Sequence, residues 1–162
     1  MPPAHADTQT STEVDKQTES APVEFETRIP VRFQHVDGAG LIFYPRYFEM
    51  VNQVVEDWFG QALGLDFRTM HVERRSGVPT VHIETEFPAP ARLGDVLLFR
   101  LRVLRVGETA VDLDIRASNA KRECLRVRST LVFVDLNGPR AKLWPSELTR
   151  RMARYLKAPE AL

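Results

Sequence analysis

Phe33-Gln34-His35-Val36-Asp37-Gly38-Ala39-Gly40-Leu41-Ile42-Phe43-Tyr44-Pro45-Arg46-Tyr47 is the stretch on which the reading of the fold turns. Upstream, Phe25, Ile29, Val31 and Phe33 alternate with Glu26, Arg28, Arg32 and Gln34, the period of a half-buried strand. Asp37 falls at the end of that strand, and Pro30 inside it points to an edge position or a bulge. Downstream the period changes. Tyr47, Phe48, Val51, Val54, Val55, Trp58, Phe59, Ala62 and Leu63 recur every three or four residues, an apolar stripe that opens through Pro45 and closes at Gly64 as C-cap. The stripe is wide enough to need cover along most of one side, so the chain runs from a strand, through a glycine turn, into a largely buried helix.

From there outward the sequence is mostly strand. Residues 66–76 read as a short helical turn followed by a basic loop. Four alternating segments follow, centred on Val81-Ile83-Phe87, Leu97-Phe99-Leu101-Val103, Val111-Leu113-Ile115 and Leu125-Val127-Leu131-Phe133. Short connections at Val106-Gly107-Glu108 and Ser118-Asn119-Ala120-Lys121 suit antiparallel hairpins, so the four are expected to form a meander that ends at Asn137-Gly138-Pro139. Ser146 is expected to cap a last helix with Leu148, Met152, Tyr155 and Leu156 on one face. Arg150, Arg151, Arg154 and Lys157 complement its dipole. The expected class is α+β: one domain over 23–158, a curved antiparallel sheet wrapped around a long central helix. Residues 1–22, rich in Thr, Ser, Glu, Gln and Pro without hydrophobic period, are expected to be a disordered tail.

The 162 residues carry 22 basic and 22 acidic side chains, which argues against a nucleic-acid surface. Residues 1–23 hold a net −3, so the remainder is +3 and its cations are mostly arginine. With one cysteine, Cys124, no internal disulfide forms. No run approaches the roughly 20 apolar residues of a membrane span, and no apolar signal core opens the chain. A cytoplasmic protein is expected.

Chemistry concentrates in the quoted stretch. A carboxylate beside glycines and a helix N-terminus puts an acid or base next to unpaired backbone N–H groups, the two parts needed to attack an acyl carbonyl and hold its oxyanion. The plainer reading of Asp37 is a turn cap. His35, two residues away on an expected strand face, either tunes that carboxylate, contacts a substrate, or is a satisfied polar residue. His5, His35, His71 and His82 show no metal-ligand spacing, so no metal and no cofactor is expected. Trp58 and Phe59 read as core, and Glu56 as a solvent-facing or interface carboxylate.

The motif Phe33-x-x-x-Asp37-x-x-Gly40-x-x-x-Tyr44-x-x-Tyr47, with Gly77-Val78-Pro79-Thr80 and Arg92-Leu93-Gly94-Asp95 as secondary support, resembles the hotdog-fold thioesterases. Within them it is similar to the 4-hydroxybenzoyl-CoA thioesterase-like group, over about 25–155. The resemblance implies hydrolysis of an acyl-CoA to free acid and CoA, and Phe43, Tyr47 and Val78 would permit a medium-chain or aromatic acyl group. It assigns Asp37 as base or nucleophile and the backbone N–H of Tyr44 as oxyanion donor. It places Gly40, Tyr47, His35 and Val78 around the substrate. It also implies a homodimer or homotetramer with sites at the subunit interface, and acyl carrier protein as an alternative carrier. The chain departs from the group at His35 and Asn52, where relatives carry acids, and at Gly107-Glu108-Thr109, where they carry a basic hairpin. Arg102, Arg105, Arg126 and Arg128 are then the candidates for the CoA phosphates. The rival from another class is a non-catalytic acyl-CoA-binding module. A hydratase, which wants a histidine base, has only His35 to offer.

Overall fold

Helix α1, Tyr44–Asp57, begins at the residue before Pro45 and buries Tyr47, Met50, Val51, Val54 and Val55. The computed structural model describes residues 23–158, so the expected tail over 1–22 lies outside the described residues. In chain order the other elements are β1 Phe25–Pro30, β2 Ser76–Gly77, β3 Thr80–Glu86, β4 Val96–Val106, β5 Ala110–Ser118, β6 Glu123–Val132, β7 Val134–Asp135, β8 Arg140–Ala141 and α2 Ser146–Ala153. After Asp57 the helix widens into a π-type turn, Trp58–Ala62, closed by Leu63 N–H donating to Trp58 O at 3.1 Å. The wider turn lets the adjacent Trp58 and Phe59 both face inward. Trp58 meets Tyr155 edge-on, and Phe59 meets Phe67 and Trp144. Gly64 ends the helix at φ +70°, as expected of a C-cap.

Five strands form one antiparallel sheet in the order β1-β4-β5-β6-β3. Its inner face presents Leu97, Phe99, Leu101, Val103, Leu113, Ile115, Leu125 and Val127, all fully buried against the helix. Each such side chain contributes about 1.5–3 kcal/mol of burial, so sheet and helix hold each other. The α+β architecture is the one expected, with a corrected strand order. Only β4, β5 and β6 form a meander, while β3 sits at the far edge beside β6 and β1 lies beside β4. The cause is the connection 87–95, which pairs with other segments instead of turning tightly: Ile42 N–H donates to Ala91 O and Leu93 N–H to Gly40 O, both at 3.0 Å.

The outer face is a lattice of ion pairs. Arg100 faces Glu24 and Glu26, Arg105 faces Asp112, Arg116 faces Asp114, Arg126 faces Glu123 and Glu86, and Arg102 meets Glu24. Exposed pairs of this kind add at most about 1 kcal/mol each, but they occupy the arginines.

Helix α2 packs on β4 through Leu148 and Met152. Ser146 is its first residue and not its cap, for Pro145 holds the cap position and accepts the Leu148 N–H through its carbonyl. Beyond the helix the chain docks on β4 by Val103 N–H to Tyr155 O and Lys157 N–H to Val103 O, both 2.8 Å. That extended docking turns Leu156 partly outward, off the expected helical face. Among the described residues no helix is long and apolar enough to cross a membrane.

Candidate active site

The quoted stretch folds as a hairpin that delivers the chain to α1. After Pro30 the strand stops: Val31 N–H donates to Asp95 O, and Phe33–His35 makes a 3₁₀ turn. Phe33, expected to be the last inward residue of the strand, is 82% exposed. His35 explains the turn. Its Nδ1 accepts the Arg32 N–H at 2.9 Å, and its carbonyl accepts the Phe43 N–H at 3.0 Å. Val36 then pairs with Ile42, and Asp37 N–H donates to Leu41 O at 2.9 Å. Gly40 closes the loop at φ +74° with open space where a Cβ would stand, so its requirement is conformational.

Asp37 sits at the exposed end of this hairpin. Its Oδ1 accepts the N–H groups of Ala39 at 2.9 Å and Leu41 at 3.3 Å. The turn-cap reading therefore holds, and the cap orients the second oxygen, which accepts no hydrogen bond among the described residues.

At the other end of the hairpin, Arg46 N–H donates to Phe43 O, Pro45 has no N–H, and Tyr44 N–H has no backbone acceptor among the described residues. A helix start leaves such donors with a partial positive charge. Beside it lies a cavity of about 300 Å³ lined by Leu41, Ile42, Tyr44, Tyr47, Phe87 and Ala91. Phe87 lies 6.4 Å from the Tyr44 ring and 5.6 Å from the Tyr47 ring, and Phe43 meets Tyr44 at 5.7 Å. Tyr47 itself is 4% exposed. Burial, with the nearby Cys124 thiol and Asp95 carboxylate adding to it, pushes its phenol well above the usual value, so it stays protonated.

Asp37, Gly40, Tyr44 and Tyr47 thus belong to one hairpin–helix unit. His35 lies behind it, in the 3₁₀ turn and not on a strand face with Asp37. Val78 lies in a separate depression of about 410 Å³ farther along α1, with Phe48, Val51, Val55, Phe67 and Ile83. The sequence reading missed Phe87 and the segment behind it. Their signal was the run Phe87-Pro88-Ala89-Pro90-Ala91, where alternating prolines end a strand. The candidate phosphate-binding arginines lie elsewhere: Arg102, Arg105 and Arg126 are spent on carboxylates of the outer sheet face, and Arg128 projects from that same face. No group of three His, Cys, Asp or Glu among the described residues could hold a metal ion.

Burial lowers the His35 pKa below 6.5. Arg32 and Arg46 add to the effect, and Glu49 opposes it. The neutral ring is the one that accepts the Arg32 N–H, so its stabilisation is complete above the unfolded value near 6.5 and is lost as pH falls below it. The thermal midpoint is expected to drop between pH 7 and pH 5. In His35→Asn, whose side-chain oxygen can accept the same N–H, that part of the drop should vanish. Thermal melts of both proteins at the two pH values check this, and parallel slopes would rule His35 out as the cause.

Residues 31–152 match the family described as the thioesterase-like superfamily. Over 109 residues the chain is 28% identical to the 1,4-dihydroxy-2-naphthoyl-CoA hydrolase of Acaryochloris marina, covering 66% of this chain and 78% of that protein. The structure is similar to Slr0204, a 1,4-dihydroxy-2-naphthoyl-CoA thioesterase from Synechocystis, with TM-score 0.73 and 22% identity over 81% of this chain and 96% of that one. It is similar also to SAV2348 of Staphylococcus aureus, solved in complex with CoA, with TM-score 0.74 and 16% identity over 86% and 92% of the two chains. With the family match spanning most of the domain and the sheet–helix architecture agreeing with it, the chain belongs to the thioesterase-like superfamily.

Proposed function

We propose that this thioester hydrolase acts on acyl-CoA, with an aromatic or medium-length acyl group, and releases the free acid and CoA. The observation that carries the reading is the unpaired Tyr44 N–H, at the start of a helix and one hairpin away from an oriented carboxylate. The thioester carbonyl would accept that N–H. Asp37 would remove a proton from an attacking water, or attack the carbonyl itself to give a mixed anhydride that water then opens. In either route the tetrahedral oxyanion rests on the Tyr44 donor and collapses by expelling the CoA thiolate, a leaving group that needs no acid. Phe43, Tyr44, Tyr47 and Phe87 favour a flat acyl group by edge and face contacts. Relatives that bear the name of a naphthoyl-CoA hydrolase support the aromatic choice. His35 belongs to the site as the residue that positions the hairpin, and Val78 as part of the apolar wall a longer acyl group would reach along α1. The setting proposed is the cytoplasm, where acyl-CoA is made and used.

Thiol release by the full chain across short, medium, long and aromatic acyl-CoAs tests the reading, with matched acyl carrier protein substrates beside them. Turnover of an aromatic or medium acyl-CoA is expected. Negligible rates across the whole panel would refute it.

A homodimer is part of the proposal. Strand β3 is an edge strand, with Val81 61% and Ile83 40% exposed next to the apolar depression that holds Val78. An uncovered apolar edge invites a second strand, and a twofold pairing of β3 with β3 would cover both. Ile83→Lys is expected to shift the sedimentation coefficient of the protein from dimer to monomer. An unchanged coefficient would place the interface elsewhere.

A further inference from the structure

Two side chains clasp together the loops behind the proposed active site. Asp95 Oδ2 accepts the Arg92 N–H at 3.0 Å and the Asn119 side-chain amide at 3.2 Å. Asn119 Oδ1 in turn accepts the N–H groups of Lys121 at 2.9 Å and Arg122 at 3.0 Å. The clasp sits against the catalytic hairpin, since Arg92 pairs with Leu41 and the preceding Ala91 lines the cavity beside Tyr44. Three cationic residues therefore hang from one knot of hydrogen bonds, and the first of them, Arg92, follows directly on the cavity-lining Ala91.

All three side chains are exposed, and none joins an ion pair among the described residues. On the outer sheet face, by contrast, Arg105 pairs with Asp112 across the strands and Arg116 with Asp114 along its own strand. The acids near the clasp are already engaged. Asp95 uses Oδ2 twice, and Glu123 is held by Arg116 and Arg126. A solvated surface cation needs no fixed backbone. Here the hydrogen bonds go to the main chain and leave the charged ends uncommitted, as a multidentate anion would require.

We propose that Arg92, Lys121 and Arg122 bind the phosphate-bearing end of the CoA thioester, with the Asp95–Asn119 clasp setting their spacing. The proposal rests on the acyl-CoA reading above. It names the group recognised outside the acyl pocket and accounts for a chain that lacks a basic hairpin at 107–109. A pantetheine arm seated at Tyr44 would leave the cavity past Ala91 and bring its phosphates to these side chains.

The test compares the full-length protein with the triple variant R92Q/K121Q/R122Q. Two quantities are read: the ratio of kcat/KM for an acyl-CoA to that for the same acyl group on pantetheine, which lacks phosphate, and the Kd of free CoA by calorimetry. The ratio is expected to fall, and the Kd to rise, by about tenfold or more in the variant. Added salt should weaken CoA binding by the wild type more than by the variant. An unchanged ratio and Kd would overturn the proposal. So would equal losses on both carriers, which would mean that the residues act only through the fold. A wild type that turns over acyl-CoA while the variant matches it refutes the patch alone. A wild type inert on every thioester, yet binding CoA through these residues, refutes the hydrolase reading alone.

Discussion

Replacing Asp37 with Asn is expected to lower turnover of the best acyl-CoA by about 10²- to 10⁴-fold and to leave the melting temperature in place. The substitution separates the turn cap from the proposed base. An amide oxygen accepts the Ala39 and Leu41 N–H groups as the carboxylate Oδ1 does, so the hairpin keeps its cap. The amide cannot take a proton from water, nor attack a thioester. Asp37→Ala, by contrast, removes cap and base together and should cost about a further 1 kcal/mol of stability. One chemical detail governs the measurement. An asparagine ahead of Gly38 deamidates readily and regenerates the carboxylate, so rates belong to freshly purified protein. Asp37→Ser, which retains an acceptor for the turn, should show the same loss without that drift. Turnover within threefold of wild type in both variants would reduce Asp37 to a turn cap.

That proposed dual role is also why the candidate site was only partly legible in the sequence. Asp-Gly-Ala-Gly favours a turn and a catalytic loop equally, because both want a short carboxylate and permissive backbone. Spacing could not separate them, and the structure has Asp37 capping while one oxygen stays open. His35 was misplaced for a related reason. Val31 and Phe33 continue the period of β1, so alternation runs on through residues that leave the sheet. What ends the strand is an imidazole accepting its own upstream N–H, a contact with no hydrophobic signature. The surroundings of the arginines named from sequence as phosphate-binding candidates were not legible either. Arginines at alternate strand positions share a face, but carboxylates that meet them, such as Asp112 beside Arg105 and Glu86 beside Arg126, lie on neighbouring strands, and register is not written in any one of them.

The helix was the legible part of the fold. Pro45, the apolar stripe and Gly64 mark its start, face and end by local chemistry, and the structure agrees on all three. The π-type turn at Trp58–Ala62 was invisible, since a single widened turn shifts the stripe by less than the breadth of the apolar face. Strand pairing was the other gap. Segment 87–95 decides that β3 lies at the far edge, and it does so by hydrogen-bonding to the hairpin at Gly40 and Ile42. Those bonds exist only once the hairpin is folded. The same segment supplies Phe87 and Ala91 to the cavity beside Tyr44, so the feature that hid the strand order is one that lines the candidate site.

The proposed oxyanion donor can be deleted almost alone, because it is a backbone group in a position where proline fits. Phe43 has φ −70° and ψ 120°, the extended conformation that a residue before proline prefers. Tyr44 stands in the first turn of α1, where the ring's fixed φ matches the helix and no helical carbonyl four residues back can clash. Its N–H makes no backbone hydrogen bond among the described residues, so removing it breaks no turn of helix. Tyr44→Pro and Tyr44→Ala both lose the ring contacts with Phe43 and Phe87. Only the first loses the N–H. The proline variant is therefore expected to turn over about 10²- to 10³-fold more slowly than the alanine variant, with matching circular dichroism and matching CoA affinity. The alanine variant should stay much closer to wild type, its loss confined to aromatic packing and expressed in KM. Equal activities of the two variants would mean that another group carries the oxyanion. A proline variant that lost helix content would move the comparison to single-turnover rates at low temperature, where the folded fraction can be counted and the ratio read from it alone.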